Sequence, residues 1–314
     1  MSVEALSHAP VMHGEVMQYL NIQPDGVYVD GTYGRGGHAQ SILKRLGAKG
    51  RLIVMDKDPQ AIDAARLSMG DDGRVTIYHD DFAHLAQKLI ELGMTHGVDA
   101  VLLDLGVSSP QLDDATRGFS FQKNGPLDMR MNPLQGESAA DWLAHASEKE
   151  ISTVLWELGE ERFARRIARK IVEARQLQKI EDTKTLSDLI SSCVPRPKNK
   201  KHPATRSFQA IRIYINQELT YIGRLLDSIF DVLKIGGRLL VISFHSLEDR
   251  LVKRFFRLHS SKPKLPRGLP VRDEELMSGI RLRLIGKAIR AGAQELSLNP
   301  RARSAVLRVA ERTA

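Results

Sequence analysis

Four short apolar runs, each reaching aspartate and each followed by residues at helical spacing, occupy the first third of this 314-residue chain. They are Val-Tyr-Val-Asp at 27–30, Leu-Ile-Val-Met-Asp at 52–56, Val-Thr-Ile-Tyr at 75–78 with Asp80 and Asp81 just beyond, and Ala-Val-Leu-Leu-Asp at 100–104. The runs are apolar at every position rather than at alternate ones. A strand is written that way when both faces of its sheet are covered. Between them Ile42, Leu43 and Leu46, the stretch opened by Pro59 and running to 67, and residues 82–92 follow helical spacing. Strands alternating with helices predict an α/β fold built on a parallel sheet.

Open α/β sheets bind ligands at the carboxyl ends of their strands. Here those ends carry Asp30, Asp56, Asp80-Asp81 and Asp104. Any one of them is explained by a helix cap or a turn; the set together points to a site. The turn after the first run is Asp30-Gly31-Thr32-Tyr33-Gly34-Arg35-Gly36-Gly37-His38. Its glycines let backbone approach a ligand closely, and the helix that follows adds free N–H groups. No Gly-Lys-Ser/Thr follows, so it is not a P-loop, and its spacing is not that of the dinucleotide fingerprint. Asp56 stands where a ribose diol needs an acceptor. Two cofactor classes fit, a nicotinamide dinucleotide or S-adenosylmethionine. Asp30 leans towards the second, because a carboxylate repels a pyrophosphate but suits a cationic amine and sulfonium.

From 113 to 133 the chain is polar, with Gly118, Gly125, Pro126 and Pro133, yet it holds Phe119, Phe121, Leu127, Met129 and Met131. It reads as an ordered loop of functional type. Helical patterns follow at 139–145, 149–158, 161–175 and 186–193. On the third, Arg162, Arg166, Arg169 and Lys170 share a face, which reads either as a solvated surface or as an RNA contact. The run Pro195-Arg196-Pro197-Lys198-Asn199-Lys200-Lys201-His202-Pro203 forbids a regular helix. It is either a linker or a loop in which Arg196, Lys198, Lys200 and Lys201 grip phosphates. Apolar residues from Phe208 to Ile229 give one long amphipathic helix. A strand at 238–242 then leads to Ser243-Phe244-His245-Ser246, a helix at 247–258 and a last strand at 304–309. The sheet thus resumes near 207. The expected organisation is a sheet domain of residues 1–112 plus 207–314, with a helical domain of residues 113–206 inserted into it.

Charge divides the chain differently. Residues 1–193 carry net −7 and residues 194–314 net +15. The positive excess marks either a solvated face or a phosphate-binding surface. Several classes drop out. Cys193 is the only cysteine, so disulfide frameworks and cysteine-rich zinc sites are excluded, and no metal site is expected. There is no apolar stretch of about 18 residues and no signal-peptide pattern. The expectation is a cytoplasmic protein without a membrane partner.

The chain resembles the bacterial small-subunit ribosomal RNA (cytosine-N4)-methyltransferases, which use S-adenosylmethionine. The segments that carry the likeness are DGTYGRGGH at 30–38, DLGVSSPQLDD at 104–114, GFSFQKNGPLDMRM at 118–131, KHPATRSFQAIRIYINQE at 201–218, SFHSLEDRLVKRFF at 243–256 and NPRARSAVLRVAER at 299–312. Tyr33 stands where the family carries Phe and keeps the ring. The resemblance implies a class I, Rossmann-like methyltransferase sheet with an inserted helical domain for the RNA. It implies as target a decoding-centre cytosine of 16S rRNA, met in the assembled or late-assembling small subunit. Asp30, Gly34, Gly36, Gly37 and His38 then lie at the cofactor turn. Asp56 holds the ribose, Phe82 lies near the adenine, and Asp104 and Gln111 contact the reactive end. A homodimer is left open.

The chemistry narrows the choice. A carbon-5 methyltransferase needs an attacking cysteine, and Cys193, in Ser-Cys-Val-Pro, is no such motif. An exocyclic amine conjugated to a pyrimidine is a poor nucleophile and needs alignment and acceptors for its hydrogens. The usual Asp/Asn/Ser-Pro-Pro-aromatic tetrapeptide is absent, and Asp104-Leu105-Gly106-Val107 takes its place. Asp104 is the first candidate for orienting the amine and His245 the second. Two other readings stay open here: a non-catalytic ribosome-assembly or RNA-binding factor of the same fold, and a dinucleotide-dependent oxidoreductase.

Overall fold

A computed structural model describes residues 10–195, 202–262 and 279–314. Strands β1 (Val27–Asp30), β2 (Arg51–Asp56), β3 (Val75–His79), β4 (Val98–Asp104), β5 (Leu233–Ser243), β6 (Leu282–Leu284), β7 (Ile289–Arg290) and β8 (Val306–Arg312) form one sheet. Its order is β3-β2-β1-β4-β5-β8-β6, with β7 paired to β8. Strands β1 to β5 are parallel, and β8 runs antiparallel between β5 and β6. This is the class I methyltransferase sheet that the resemblance implied.

Side chains on a strand alternate between faces, and here each face has its own core. Tyr28, Leu52, Val54, Ala100, Leu102, Leu240 and Ile242 face one way. They meet helices α1 (His13–Leu20), α2 (Gly37–Leu43) and α3 (Pro59–Met69). Val29, Ile53, Met55, Val101, Leu103, Leu239 and Val241 face the other. They meet α4 (Leu85–Glu91), the later α11 (Glu218–Val232) and α12 (Ser246–Ser260). Burying one such side chain contributes about 1.5–3 kcal/mol. Both faces are therefore held, as the uninterrupted apolar runs required.

The remaining α-helices among the described residues are α5 (Ser109–Asp113), α6 (Ala139–His145), α7 (Glu148–Gly159), α8 (Ala164–Leu177), α9 (Thr183–Cys193), α10 (Thr205–Ile215) and α13 (Ala293–Leu298). The chain divides into two compact units, Met1–Gly106 with Leu219–Ala314, and Val107–Glu218. The nested unit has a separate core that includes Phe119, Leu127, Met129, Trp142, Ile167, Leu186 and Phe208. Its borders lie outside the expected 113–206, because α5 and α10 both belong to it.

The single helix expected from Phe208 to Ile229 is two helices. Helix α10 ends at Ile215, Asn216 caps it, and Gln217 turns the chain at φ 50°. The Asn216 amide is the reason for the break. Its Oδ1 accepts the Met131 N–H at 2.7 Å and its Nδ2 donates to the Met129 carbonyl at 2.7 Å. The buried Arg117 donates to the carbonyls of Arg130 and Met131. The long segment around 113–133 is thus ordered by buried hydrogen bonds and by its own apolar residues. The apolar spacing along the sequence continues through the break, so periodicity could not reveal it.

Candidate active site

The glycine turn is fastened across the carboxyl edge of the sheet. Gly31 N–H donates to the Leu102 carbonyl at the end of β4, and Tyr33 N–H to the Met55 carbonyl at the end of β2. Gly34 N–H donates to Asp56 Oδ2 at 2.8 Å. Thr32 Oγ1 accepts the Asp104 N–H at 2.6 Å. Gly36 sits at φ +74°, and a Cβ there would lie 2.4 Å from the Tyr33 ring. The Tyr33 hydroxyl is held in turn by Ser68 Oγ at 2.8 Å. Only glycine meets both demands at 36, the left-handed backbone and the close ring. Helix α2 starts at the next residue; its glycine cap has no side chain to offer, and the Asp30 carboxyl takes the Ala39 N–H in its first turn.

Three carboxyl groups line this edge, and burial acts on each. Asp30 is buried, accepts the Thr32 N–H, and is pushed up to about 7 by loss of water, with Asp56 adding repulsion. Asp56 is raised to about 6 by desolvation, held back by the N–H groups of Asp58 and Gly34. Asp104 is raised to about 8 by desolvation and then by the charges of Asp30 and Glu248. His38 is 5% exposed and burial lowers it to about 3. Its Nε2 lies 3.7 Å from Asp104 Oδ2. That contact joins two neutral groups near neutral pH rather than an ion pair. Oδ1 of Asp104 is buried without a hydrogen-bond partner, and the buried His38 ring is left to the backbone of Val11. Buried polar atoms are normally satisfied, so the Asp104 carboxyl marks where a polar ligand fits.

The site therefore brings together Asp30, Gly34, Gly36, Gly37, His38, Asp56 and Asp104. Phe82 joins them, since a Cβ on Gly31 would lie 3.1 Å from its own Cβ. Asp80 and Asp81, counted with the strand-end carboxylates, serve elsewhere. Asp81 caps the short turn Phe82–His84 and pairs with Lys57 at 3.1 Å, while Asp80 pairs with His84 at 2.7 Å. Gln111 lies in the nested unit, where its Oε1 accepts the Ser108 N–H in a capping box on α5. His245 caps α12, with Glu248 Oε1 at 3.1 Å from its Nε2. Arg196, Lys198, Lys200 and Lys201 lie outside the described residues. Sequence reading missed Thr32 and Tyr33, although both stand inside the glycine turn. It also missed His13, whose ring stacks on His38 at 6.0 Å from a separate helix, with no signal in the sequence to find it.

The donor set fits S-adenosylmethionine. Carboxylates without fixed cations suit its positive amine and sulfonium, Asp56 suits a diol, and the glycine turn leaves room for backbone contact. Sheet order, glycine turn and carboxylate edge together define a class I methyltransferase. The model of the MraW methylase family matches residues 5–313, and the chain belongs to that family. It is thus a methyltransferase enzyme, with S-adenosylmethionine as its methyl donor. It is 57% identical over 310 residues to the Ribosomal RNA small subunit methyltransferase H of Thioalkalivibrio sulfidiphilus, covering 99% of this chain and 98% of that one. Among solved structures, an rRNA methylase from Streptococcus thermophilus aligns at TM-score 0.40 and 12% identity, over 98% of this chain and 99% of that one. Aeropyrum pernix fibrillarin with bound S-adenosyl-L-methionine aligns at TM-score 0.39 and 10% identity, over 92% and 67%.

Proposed function

We propose that the protein methylates the exocyclic N4 amino group of a decoding-centre cytosine in 16S rRNA of the small ribosomal subunit. The observation that carries this reading is the buried Asp104 carboxyl, with an unpartnered oxygen beside His38 at the glycine turn, in a chain of the MraW methylase family. The small-subunit target follows the name of the Thioalkalivibrio relative. The cofactor supplies an electrophilic methyl group on a sulfonium. Asp30 and Asp104 hold its cationic groups, Asp56 its ribose, and Phe82 its adenine, with Gln111 a further contact. Asp104, with the backbone carbonyls after it, accepts the amino hydrogens of the cytosine and so turns the nitrogen lone pair towards the methyl. His245 is the second candidate for that task.

The nested unit, residues 107–218, is the substrate domain, and Arg196, Lys198, Lys200 and Lys201 hold RNA phosphates. The substrate is the assembled or late-assembling subunit, which places the enzyme in the cytoplasm; among the described residues no helix is long and apolar enough to cross a membrane. The test is to treat subunits lacking the modification with enzyme and labelled cofactor, beside naked 16S rRNA. The methylated nucleotide is then mapped by mass spectrometry. Label on N4 of one decoding-centre cytosine, in subunits rather than naked RNA, is expected. Label on carbon 5, on another nucleotide, or on nothing overturns the reading.

A further inference from the structure

The nested unit carries a second feature that the methyl-transfer site does not use. A groove of about 870 Å³ lies between the outer face of α7 and the segment that opens α8. Residues 149, 152, 153, 156 and 157 form one helical stripe on α7, with Trp156 in it. The opposite stripe, Ile151, Val154 and Leu155, packs into the core. Trp156 is 61% exposed, whereas the chain's other tryptophan, Trp142, is 2% exposed. Phe163 opens the far side of the groove and is also exposed. An indole left in water adds nothing to the core, so a binding role accounts for it better than folding does.

Charge identifies the occupant. Lys149, Arg162, Arg165 and Arg166 line the groove, against the carboxylates of Glu148 and Glu157. Glu148 pairs at 3.7 Å with Arg169, a residue that does not line the groove. Among the described residues the side chains of Arg162, Arg165 and Arg166 form no ion pair or hydrogen bond. Unpaired guanidinium groups beside an exposed aromatic ring make a platform for a phosphate-linked base, with stacking on the ring and cations along the backbone. An acidic peptide would satisfy the arginines but give the indole no flat partner.

We propose that this groove holds a single-stranded stretch of the RNA substrate, with one unpaired base stacked on Trp156 and the flanking phosphates on Arg162, Arg165 and Arg166. The proposal rests on the rRNA reading above and assigns it a second contact, distinct from the nucleotide that is methylated.

The test uses the full-length protein and three probes: a mixed-sequence single-stranded RNA decamer, its duplex, and polyglutamate. The decamer is expected to quench the exposed tryptophan emission, and the duplex and polyglutamate are not. Trp156→Ala should weaken decamer binding roughly tenfold, within the range of one lost base stack, and Trp156→Tyr should restore most of it. The double variant Arg165→Gln/Arg166→Gln should lower the slope of log affinity against log salt by roughly 1.4, about 0.7 for each lost phosphate contact on a single strand. Equal quenching by the duplex, competition by polyglutamate, or no quenching by the decamer overturns the proposal. Methyl transfer to modification-deficient subunits separates the two readings. If the wild type transfers methyl and Trp156→Ala has the same KM for subunits, the groove proposal fails while the function stands. If the wild type transfers none, the function itself fails.

Discussion

At the scale of single residues, burial does most of the chemistry at this site. Removing water lifts Asp104 to about 8 and Asp30 to about 7, while His38 stays neutral. A cationic cofactor favours the ionised carboxylates, so its binding releases protons. Affinity for S-adenosylmethionine should therefore tighten as pH rises from 6 to 8, by up to about tenfold per unit for each proton released. Above about 8 it should level off. Asp104→Asn should remove the part of the rise between 7 and 8, as calorimetry across that range would show; an unchanged profile would refute the assignment. Gly36→Ala tests the turn. The left-handed backbone alone costs about 1–2 kcal/mol for a residue with a Cβ, and the Tyr33 ring adds a clash. Cofactor binding should fall sharply in a protein that still melts cooperatively. These glycines and aspartates were legible because spacing in a turn is local. His13 was not, because its partner His38 is distant along the chain, and the tasks of Asp80 and Asp81 were not, because an aspartate after a strand serves a local cap or pair as readily as a ligand.

At the scale of elements, the break between α10 and α11 shows the limit of periodicity. An amphipathic pattern reports the spacing of apolar residues, and that spacing continues across Asn216 and Gln217. What ends the helix is a demand from elsewhere, the buried backbone of Met129 and Met131. Arg212 and Glu218, in a two-bonded ion pair at 2.8 and 2.9 Å, close the corner. Asn216→Ala should destabilise the protein by about 2–4 kcal/mol, since each buried group left unpaired costs about 1–3 kcal/mol. Chemical denaturation would measure this, and a loss below about 1 kcal/mol would show that the corner does not depend on the amide. Strands β6 and β7 were missed for a related reason. Both are short and owe their pairing to β8, which supplies what their own sequences do not specify.

At the scale of the whole molecule, two units with separate cores share one chain, and the second is spliced into the first between Gly106 and Leu219. A unit with its own core should fold alone. Residues 107–218 expressed as a fragment should unfold in one cooperative transition; a fragment without one would mean that its core is incomplete. Neutralising Arg196, Lys198, Lys200 and Lys201 together should weaken RNA binding and flatten its salt dependence, as filter binding over a salt series would record. The sequence by itself determined the class of fold, the glycine turn, the strand-end carboxylates and the presence of an insertion. Those depend on spacing along the chain, through apolar runs, turn residues and helical period. Tertiary structure alone decided which strand-end carboxyl groups are buried at the glycine turn, where the insertion begins and ends, and that the Asp104 carboxyl lies beside His38 with an unpartnered oxygen. Burial and unmet hydrogen bonds are properties of neighbours brought together by folding, and no spacing along one chain encodes them.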